Sequence, residues 1–350
     1  MRFEAITIKD IATALGLSKS TVSRALRNSQ EISPDTKKLI REYAEEHNYR
    51  PNPIALSLKE KRSRSIGIVV CEIANSFFSQ VINGIESIAY DSGYNVIISQ
   101  THESFEREIV GLNYLSSRSV DGLLISVSAE TTSFDHLKSL HSKGLPIVFF
   151  DRVANDIKTH KVTVDNFTGS YDATTHLIEN GFTRIASISL SQHSSITQGR
   201  LNGYRKALND HHIAVDENLI RYCAHAGLFY DELEKEMNAL MKLKHRPQAI
   251  FASSDKITMG VLRFLKSKGI RVPNDIAVVG FSNAETTDLL QPSLTVVRQP
   301  AFEMGKIATE MLINLMEAKR PVKVFENRVL PAELVVRESS VKRVAELLNH

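Results

Sequence analysis

Apolar residues recur every three or four positions along the first part of the chain, which predicts three short helices. Thr7 and Asp10 have the spacing of a capping box, so the first helix begins after Thr7. Ser18 caps a second helix over 19–26, and the pair Ser33-Pro34 starts a third that reaches about residue 47. The positions expected to face inward are Ile8, Ile11, Ala12, Leu15, Val22, Ala25, Leu26, Leu39, Ile40, Tyr43 and Ala44.

From residue 65 onward, short apolar runs alternate with segments of helical spacing. Runs such as 65–71 and 122–126 are typical of buried parallel strands, and segments such as 103–115 are typical of helices. Because this alternation restarts after about residue 161, we expect two successive doubly wound α/β units behind an all-α head. Two such units leave a cleft between them, where polar ligands bind near the carboxyl ends of strands.

The composition favours a cytoplasmic protein of several domains. The chain has 350 residues, of which 42% are apolar, enough for two or three cores. Its two cysteines lie far apart and no Cys/His spacing suits a metal, so we expect neither a disulfide framework nor a metal or cofactor. No apolar run has the length of a signal peptide or of a membrane span, so no membrane contact is expected.

The charge is unevenly distributed along the chain. Residues 1–64 hold 13 basic and 8 acidic residues, whereas the remainder holds 30 basic and 32 acidic residues. A basic head on a slightly acidic body favours contact with a polyanion. The second predicted helix is rich in hydroxyls and arginine and follows a glycine-containing turn, which is the helix-turn-helix layout of major-groove readers. Taken alone, this spacing is also compatible with three packed helices that have a solvated face.

The segment 18–24, Ser-Lys-Ser-Thr-Val-Ser-Arg, closely resembles the recognition segment of the lactose/galactose repressor (LacI/GalR) family. The segment 47–59 resembles the hinge of that family, and the likeness continues to about residue 338. It implies a helix-turn-helix domain at 1–50, a hinge helix and linker at 51–65, a periplasmic-binding-protein-like core at 66–338 and a tail at 339–350. Within that core it implies an N-subdomain of about 66–161 plus 292–322 and a C-subdomain of about 162–291 plus 323–338.

The resemblance also implies which head residues contact DNA. Lys19, Ser20 and Arg24 are expected to read base edges, and Arg24 has the fork geometry for a bidentate bond to guanine. Contacts to phosphate position a protein on DNA without reading its sequence. Such contacts are expected from Thr21, Ser23 and Asn28, and Thr7 is expected to lie at the DNA as well.

The predicted hinge is too short to be stable alone. Six residues cannot hold a helix in water because nucleation is costly, so we predict that 51–65 orders only on DNA. By the resemblance, Leu58 wedges into the minor groove and bends the duplex, with Ser57 and Lys59 beside it. The alternative is an ordinary leucine in a linker.

Candidate ligand residues stand where the predicted strands end. An aromatic ring can cover the apolar face of a sugar while carboxylates and a guanidinium bond its hydroxyls, so the residue types favour a saccharide or related polyol. The candidates are Phe78, Asp151, Arg152, Arg200, Phe229, Asp255, Ser282 and Asn283. Arg200 matches the effector-binding arginine of the family by position. Both phenylalanines are alternatively core residues, and both aspartates alternatively cap the helices that follow.

Two departures from the family pattern bear on the ligand. Ser282 and Asn283 stand where members often carry an acid, and Ser194 stands where the purine-binding branch has an arginine, which argues against a purine. The segment 280–284 lacks the last glycine of a nucleophile elbow, so an α/β enzyme is a weak alternative. A solute-binding transport protein is a second alternative for the core, but it would not need the basic head.

These observations together predict a non-enzymatic transcription regulator, most simply a repressor. A single helix-turn-helix makes few contacts, so we expect a homodimer that reads a palindromic operator in double-stranded DNA. A small-molecule effector, expected to be a sugar, would change operator affinity by about 1–3 kcal/mol through the core. The sequence is compatible both with induction and with co-repression.

Overall fold

The computed structural model describes residues 6–50, 62–192 and 194–341. The chain divides into two compact units between Ser63 and Arg64, here called the head and the core. The predicted hinge contacts at Ser57, Leu58 and Lys59 lie outside the described residues. Within the described ranges, every helix falls short of the length or the apolar character that crossing a membrane requires.

The head consists of α1 (Ile8–Ala14), α2 (Lys19–Leu26) and α3 (Pro34–Glu46). The predicted caps are confirmed, since Thr7 and Asp10 form a capping box, and Ser18 and Ser33 each accept a bond from a backbone N–H three residues on. The buried centre holds Ile11, Ala12, Val22, Ala25, Ile40 and Ala44.

One inward position of the head was predicted wrongly. Leu39 is half exposed, whereas its neighbour Ile40 is fully buried. Successive side chains of an α-helix point about 100° apart, and Leu39 lies at the margin of the apolar face of α3, outside the cluster that Ile40 and Ala44 join.

The first lobe of the core contains a six-stranded parallel sheet. Its strands are β1 (Ser65–Val70), β2 (Asn95–Gln100), β3 (Gly122–Ile125), β4 (Ile147–Phe150), β5 (Lys161–Val164) and β11 (Asn327–Leu330). They pair in the order β11-β5-β4-β3-β1-β2. The helices of this lobe are α4 (Ser76–Asp91), α5 (Phe105–Ser117), α6 (Asp135–Ser142) and α11 (Ala301–Glu317).

The second lobe repeats this architecture. Its strands are β6 (Ile185–Leu190), β7 (Ile220–Cys223), β8 (Ala249–Ala252), β9 (Ala277–Phe281), β10 (Thr295–Arg298) and β12 (Glu333–Val335). They pair in the order β12-β10-β9-β8-β6-β7, and β12 runs antiparallel to β10. The helices are α7 (Asn166–Glu179), α8 (Ser195–Asp210), α9 (Tyr230–Met241) and α10 (Asp255–Ser267). The predicted pair of α/β units is therefore confirmed.

The chain passes between the lobes later than the expected boundaries at 161, 291 and 322. Strand β10 pairs with β9 in the second sheet, and β11 pairs with β5 in the first, so the crossings follow β5, β10 and β11. A four-residue apolar run predicts a strand but not the sheet that it joins, because that choice depends on distant partners.

The expected tail also begins too early. Ser339 and Ser340 are completely buried in the second lobe. The Ser339 hydroxyl donates to the carbonyl oxygen of Val278 at 2.7 Å, and the Ser340 hydroxyl lies 2.6 Å from that of Thr295. Residues 339–340 therefore belong to the core, since they satisfy polar groups beside β9 and β10.

Helix α11 lies directly against α4, with backbone touching backbone. A Cβ atom added at Gly84 would lie 2.0 Å from the carbonyl oxygen of Phe302, and one added at Gly305 would lie 2.1 Å from that of Val81. Both glycines are therefore required by close approach of the two helices rather than by backbone conformation.

We predict that Gly305→Ala destabilises the core by about 1–3 kcal/mol or more, because the new methyl group must push two helix backbones apart. Urea-induced unfolding followed by circular dichroism measures the change. Asn83→Ala, at an exposed position of α4, is the matched control and should stay within about 0.5 kcal/mol of the wild type. Equal stability of Gly305→Ala and the wild type would contradict the close packing.

Candidate functional site

The carboxyl ends of the strands in both lobes converge on one cavity, here called the central cavity. Seven of the eight predicted ligand residues line it, namely Phe78, Asp151, Arg152, Arg200, Asp255, Ser282 and Asn283. Its volume is about 40 Å³. Parallel strands of two facing sheets bring their end loops together, which is why residues far apart in sequence meet here.

Arg200 is held in one orientation by the second lobe. Helix α8 begins at Ser195, so Arg200 lies in its second turn. The Arg200 Nε donates to Asn166 Oδ1 at 2.8 Å, its Nη1 donates to the carbonyl oxygen of Ser253, and the guanidinium lies 3.7 Å from the ring centre of Phe281. Burial lowers the pKa of Arg200 to about 9, opposed by nearby Asp151, so the group remains charged at neutral pH.

Two carboxyl groups face the same cavity. Asp151 is 5% exposed, and burial raises its pKa even though Arg152 and Arg200 favour the charged form. Asp255 accepts a bond from the Ser282 hydroxyl, and burial raises its pKa as well. Carboxylates that are costly to bury are expected where a ligand supplies hydroxyl donors.

Arg152 is engaged in a buried ion pair. Its Nη1 and Nη2 contact the two carboxylate oxygens of Glu103 at 2.5 and 3.0 Å. The same Glu103 accepts a backbone bond from Ala129 at 2.8 Å, so the pair also holds the loop that follows β3. Arg152 therefore lines the cavity, but its two terminal nitrogens are already bonded to Glu103. Sequence reasoning missed Glu103, because the pair joins segments 49 residues apart.

Asn283 joins the lobes. Its side-chain amide donates to Gln80 Oε1 on α4 at 2.8 Å and to the carbonyl oxygen of Gln299 at 2.7 Å, and its Oδ1 accepts from the Gln299 backbone at 3.1 Å. A second cross-lobe contact pairs Lys256 with Glu72 at 3.0 Å. Asn166 and Gln80 were also absent from the prediction. Asn166 lies two residues after the end of β5, so recognising that strand would have drawn attention to it.

Phe229 lies apart from the other seven residues. It precedes α9, is 53% exposed and meets His225 edge to face, with 4.9 Å between the ring centres. Its neighbours His225 and Leu228 line a small cavity beside the central one, together with Cys71 and Glu72. The strand that precedes this loop, β7, was not predicted, so the position of the loop relative to the cleft was not available from the sequence.

The polar face of α2 is open to solvent in the head. Lys19, Ser20 and Arg24 are exposed, and Thr21 and Ser23 are half buried. Thr7 and Asn28 are exposed at the ends of neighbouring segments. The side-chain hydroxyl of the Ser18 cap lies 2.7 and 2.8 Å from the hydroxyls of Ser20 and Thr21. The first turn of α2 therefore presents hydroxyls and free amide donors of the kind that bind phosphate.

Arg24 is paired within the head. Its Nη1 lies 2.7 Å from Glu31 Oε2, with both side chains more than half exposed. An exposed pair of this kind contributes about 0–1 kcal/mol, so it can be exchanged for a bond to a base edge at little cost. Glu31 was not among the predicted residues, since it lies outside α2.

We predict that Asp151→Asn stabilises the core at pH 7. The folded state raises the pKa of Asp151, so its ionised form opposes folding at neutral pH, and the advantage of the variant should shrink as the pH falls towards about 4. Asparagine also tolerates the positive φ of 58° at this position. Urea unfolding at both pH values measures the effect.

Asp156→Asn is a control that should change the stability of the core in the opposite direction. A hydrogen bond from Lys138 lowers the pKa of Asp156, so the ionised form favours folding and its loss should lower the unfolding midpoint at pH 7 slightly. If both variants shift the midpoint in the same direction, burial of Asp151 does not oppose folding.

Comparison with known proteins agrees with both parts of the structure. Residues 7–52 match the family described as bacterial regulatory proteins, lacI family, and residues 174–340 match the periplasmic binding protein-like domain. The chain is 34% identical to the HTH-type transcriptional repressor PurR of Vibrio atlanticus over 96% of this chain and 98% of that protein.

Two solved structures extend the likeness over the whole chain. One is a transcriptional regulator CelR-cellobiose complex, with a TM-score of 0.70, 29% identity and coverage of 95% of this chain and 99% of that one. The other is the lac repressor dimer bound to operator and the anti-inducer ONPF, with a TM-score of 0.78, 25% identity and coverage of 97% and 100%. The relatives are regulators rather than enzymes, and the chain belongs to the LacI family of DNA-binding transcription regulators.

Proposed function

We propose that this protein represses transcription by binding a palindromic operator as a homodimer, and that a neutral sugar or related polyol in the central cavity sets its affinity. The observation that carries the proposal is the convergence of Asp151, Arg200 and Asp255 with Phe78 on one cavity between the lobes. Carboxylates and a guanidinium bond vicinal hydroxyls, and an aromatic ring covers the apolar face of a sugar.

The charges around the central cavity favour a neutral ligand. Arg152 is neutralised by Glu103, and Arg200 faces Asp151. An anionic ligand would lie beside the buried carboxylates of Asp151 and Asp255, and repulsion between like charges is strong in a buried site. The structural neighbour with bound cellobiose supports a sugar of this kind.

The head supplies the DNA contacts in this proposal. Lys19, Ser20 and Arg24 read base edges in the major groove, and Thr21, Ser23, Asn28 and Thr7 contact the backbone of the DNA. The exposed polar face of α2 supports these roles. Ser57, Leu58 and Lys59 remain predicted hinge contacts. The solved structure of the lac repressor is a dimer bound to operator, which supports a dimer on DNA here as well. Two heads related by a two-fold axis suit a palindromic site, and such a protein acts in the cytoplasm, where the DNA is.

The size of the central cavity connects ligand binding to movement of the lobes. A volume of about 40 Å³ is close to that of one water molecule, roughly 30 Å³, so a sugar ring enters only if the lobes separate. Contacts that join the lobes, such as Lys256 with Glu72 and Asn283 with Gln80, must then change. The ligand thereby shifts the population of two core arrangements, each with its own operator affinity.

Selection of bound fragments from a genomic DNA library tests the proposal. The purified full-length protein is incubated with the library at two salt concentrations, and the retained DNA is sequenced. We expect a palindromic motif that persists at the higher salt, and neutral sugars that change its retention. Recovery of unrelated sequences that are all lost at the higher salt would contradict sequence-specific repression.

We predict that Arg24→Lys weakens binding to the selected motif by about 1–3 kcal/mol, because lysine keeps the charge but loses the fork that bonds guanine. Preference at one base position should relax, while binding to unrelated DNA and its salt dependence stay unchanged. Fluorescence anisotropy on matched duplexes measures this. Arg41→Lys, exposed on α3, is the control. If the two variants lose equal affinity, Arg24 does not read a base.

We predict that Arg200→Lys retains operator binding without ligand and loses the response to the sugar. Lysine cannot reproduce the bonds to Asn166 and Ser253 and the stacking on Phe281. A sugar at 100 times its Kd should stabilise the wild type by about 2.7 kcal/mol, and the variant should show little of that stabilisation in thermal unfolding. Arg205→Lys, on the outer face of the same helix, should respond like the wild type. An unchanged response in Arg200→Lys would place the ligand elsewhere.

A further inference from the structure

The amino ends of the strands in the first sheet form one face of the core, here called the amino-end face. All six strands run parallel, so the segments that precede them lie side by side in the order of the sheet. Backbone bonds join neighbouring segments. The Asn95 N–H donates to the carbonyl oxygen of Arg64 at 2.8 Å, and the Lys161 N–H donates to that of Glu326 at 2.9 Å. These segments therefore form one continuous surface.

An exposed segment, 317–324, crosses this face. It follows the last turn of α11, which lies near the middle of the sheet, since a Cβ atom added at Gly122 would lie 2.7 Å from the Met316 sulfur. The segment leads to the edge strand β11, where the Phe325 ring meets the His160 ring edge to face with 5.5 Å between their centres. Every residue of 317–324 is exposed, so the core does not depend on their side chains.

Basic side chains outnumber acidic ones on the amino-end face. Three belong to the exposed segment, and four stand in the segments that precede β1, β3, β4 and β5. All seven are exposed, namely Arg64, Arg118, Lys143, Lys158, Lys319, Arg320 and Lys323. The acidic residues of the face are Asp91, Asp121, Glu317 and Glu326. The chain from residue 65 onward holds 30 basic and 32 acidic residues, so positive charge is concentrated on this face.

The positive charge of the amino-end face is not neutralised within the core. Among the described residues, the ion pairs of the first lobe engage other basic side chains, namely His136, Lys138, Arg152, Lys306 and Arg328. Arg64 and Arg118 lie over the rings of Tyr94 and Tyr114, at 5.5 and 5.1 Å from the ring centres, which does not cancel their charge. Clustered basic side chains of this kind are typical of a surface that meets a polyanion.

The chain that comes from the head enters the core on this same face. Arg64 directly precedes β1, and its backbone N–H donates to Asp121 Oδ2 at 2.9 Å. DNA bound by the head is therefore the polyanion that the chain itself keeps close to the amino-end face, and tethering raises its effective concentration there.

The dimensions of the face also suit DNA. Neighbouring strands lie about 4.8 Å apart, so a row across six strands is roughly 24 Å long. Phosphates along one DNA strand follow each other at about 3.4 Å of helix axis, so a row of this length corresponds to roughly seven base pairs.

We infer that the amino-end face is a second DNA-binding surface, which contacts phosphates of the DNA that flanks the operator motif. Contacts of this kind depend on charge and carry no sequence information, so they add affinity without changing the motif that is selected. The inference rests on the proposed binding to a palindromic operator and concerns the DNA outside the motif that the heads read.

The test compares two duplexes that carry the motif selected from the genomic library. The short duplex ends with the motif, and the long one continues for about two helical turns, roughly 20 base pairs, on each side. Fluorescence anisotropy measures binding of the full-length protein at several salt concentrations. We expect the wild type to bind the long duplex about fivefold more tightly or better, with a steeper salt dependence, because each further phosphate contact adds about 0.9 to the slope.

The variant Lys319→Gln/Arg320→Gln/Lys323→Gln removes three positive charges from the exposed segment. It should bind the long duplex no more tightly than the short one, and its affinity for the short duplex should equal that of the wild type. A changed base sequence in flanks of the same length should leave the wild-type affinity unchanged, since phosphates are the same in every sequence.

The matched control is Lys242→Gln/Lys244→Gln/Lys266→Gln, which removes the same charge from exposed positions of the second lobe. It should keep the wild-type preference for the long duplex. Equal affinity of the wild type for the two duplexes would overturn the inference. So would a preference that persists in the first-lobe variant, or an equal loss in both triple variants, which would reflect net charge alone. If the wild type binds neither duplex in preference to unrelated DNA, the proposed function fails instead.

Discussion

The contact between α4 and α11 is the constraint on which the layout of the core depends. Gly84 and Gly305 allow two helix backbones to touch, so a segment that follows the second lobe in the sequence is built into the first. The chain must then cross between the lobes three times. Three neighbouring connections allow the lobes to bend relative to each other but restrict their sliding past each other. The Asn283 side chain is hydrogen-bonded both to Gln80 on α4 and to Gln299 in the second crossing. Asn283, which lines the central cavity, is thereby hydrogen-bonded directly to the helix that organises the first lobe.

The cleft contains charged side chains whose burial costs free energy, because they lose their hydration. Asp151, Arg152 and Arg200 are each about 95% buried or more, and each depends on partners from other segments. Glu103 forms an ion pair with Arg152, and Asn166 and Phe281 hold Arg200 in place. The raised pKa of Asp151 indicates that its partners do not fully offset the loss of hydration of this carboxylate. Such a site gains bonds when a hydroxylated ligand enters, which is how ligand binding can select one arrangement of the lobes. In the head, Arg24 has only an exposed partner, Glu31, which it exchanges for DNA in the function that we propose.

Much of the lining of the central cavity followed from the rule that parallel strands deliver their carboxyl ends to one edge of a sheet. Asp151, Asp255 and Ser282 each follow a strand that the apolar runs predicted, and all three line the central cavity. Phe229 follows no predicted strand, and it lies half exposed outside that cavity. The rule therefore succeeded where the strand was recognised and failed where it was missed. Glu103 and Gln80 could not be found in this way, because their roles come from partners in distant segments.

By itself, the sequence determined the caps of α1, α2 and α3, the restart of the α/β alternation and the polar face of α2. These features depend on residues within about one helix turn or one strand of each other, so adjacent side chains specify them. Only the tertiary structure decided which sheet β10, β11 and β12 join, that Leu39 faces solvent, that Ser339 and Ser340 enter the core and that Arg152 is paired. Each of those outcomes depends on a hydrogen bond, an ion pair or a packing contact with residues far away along the chain, and local patterning carries no information about them.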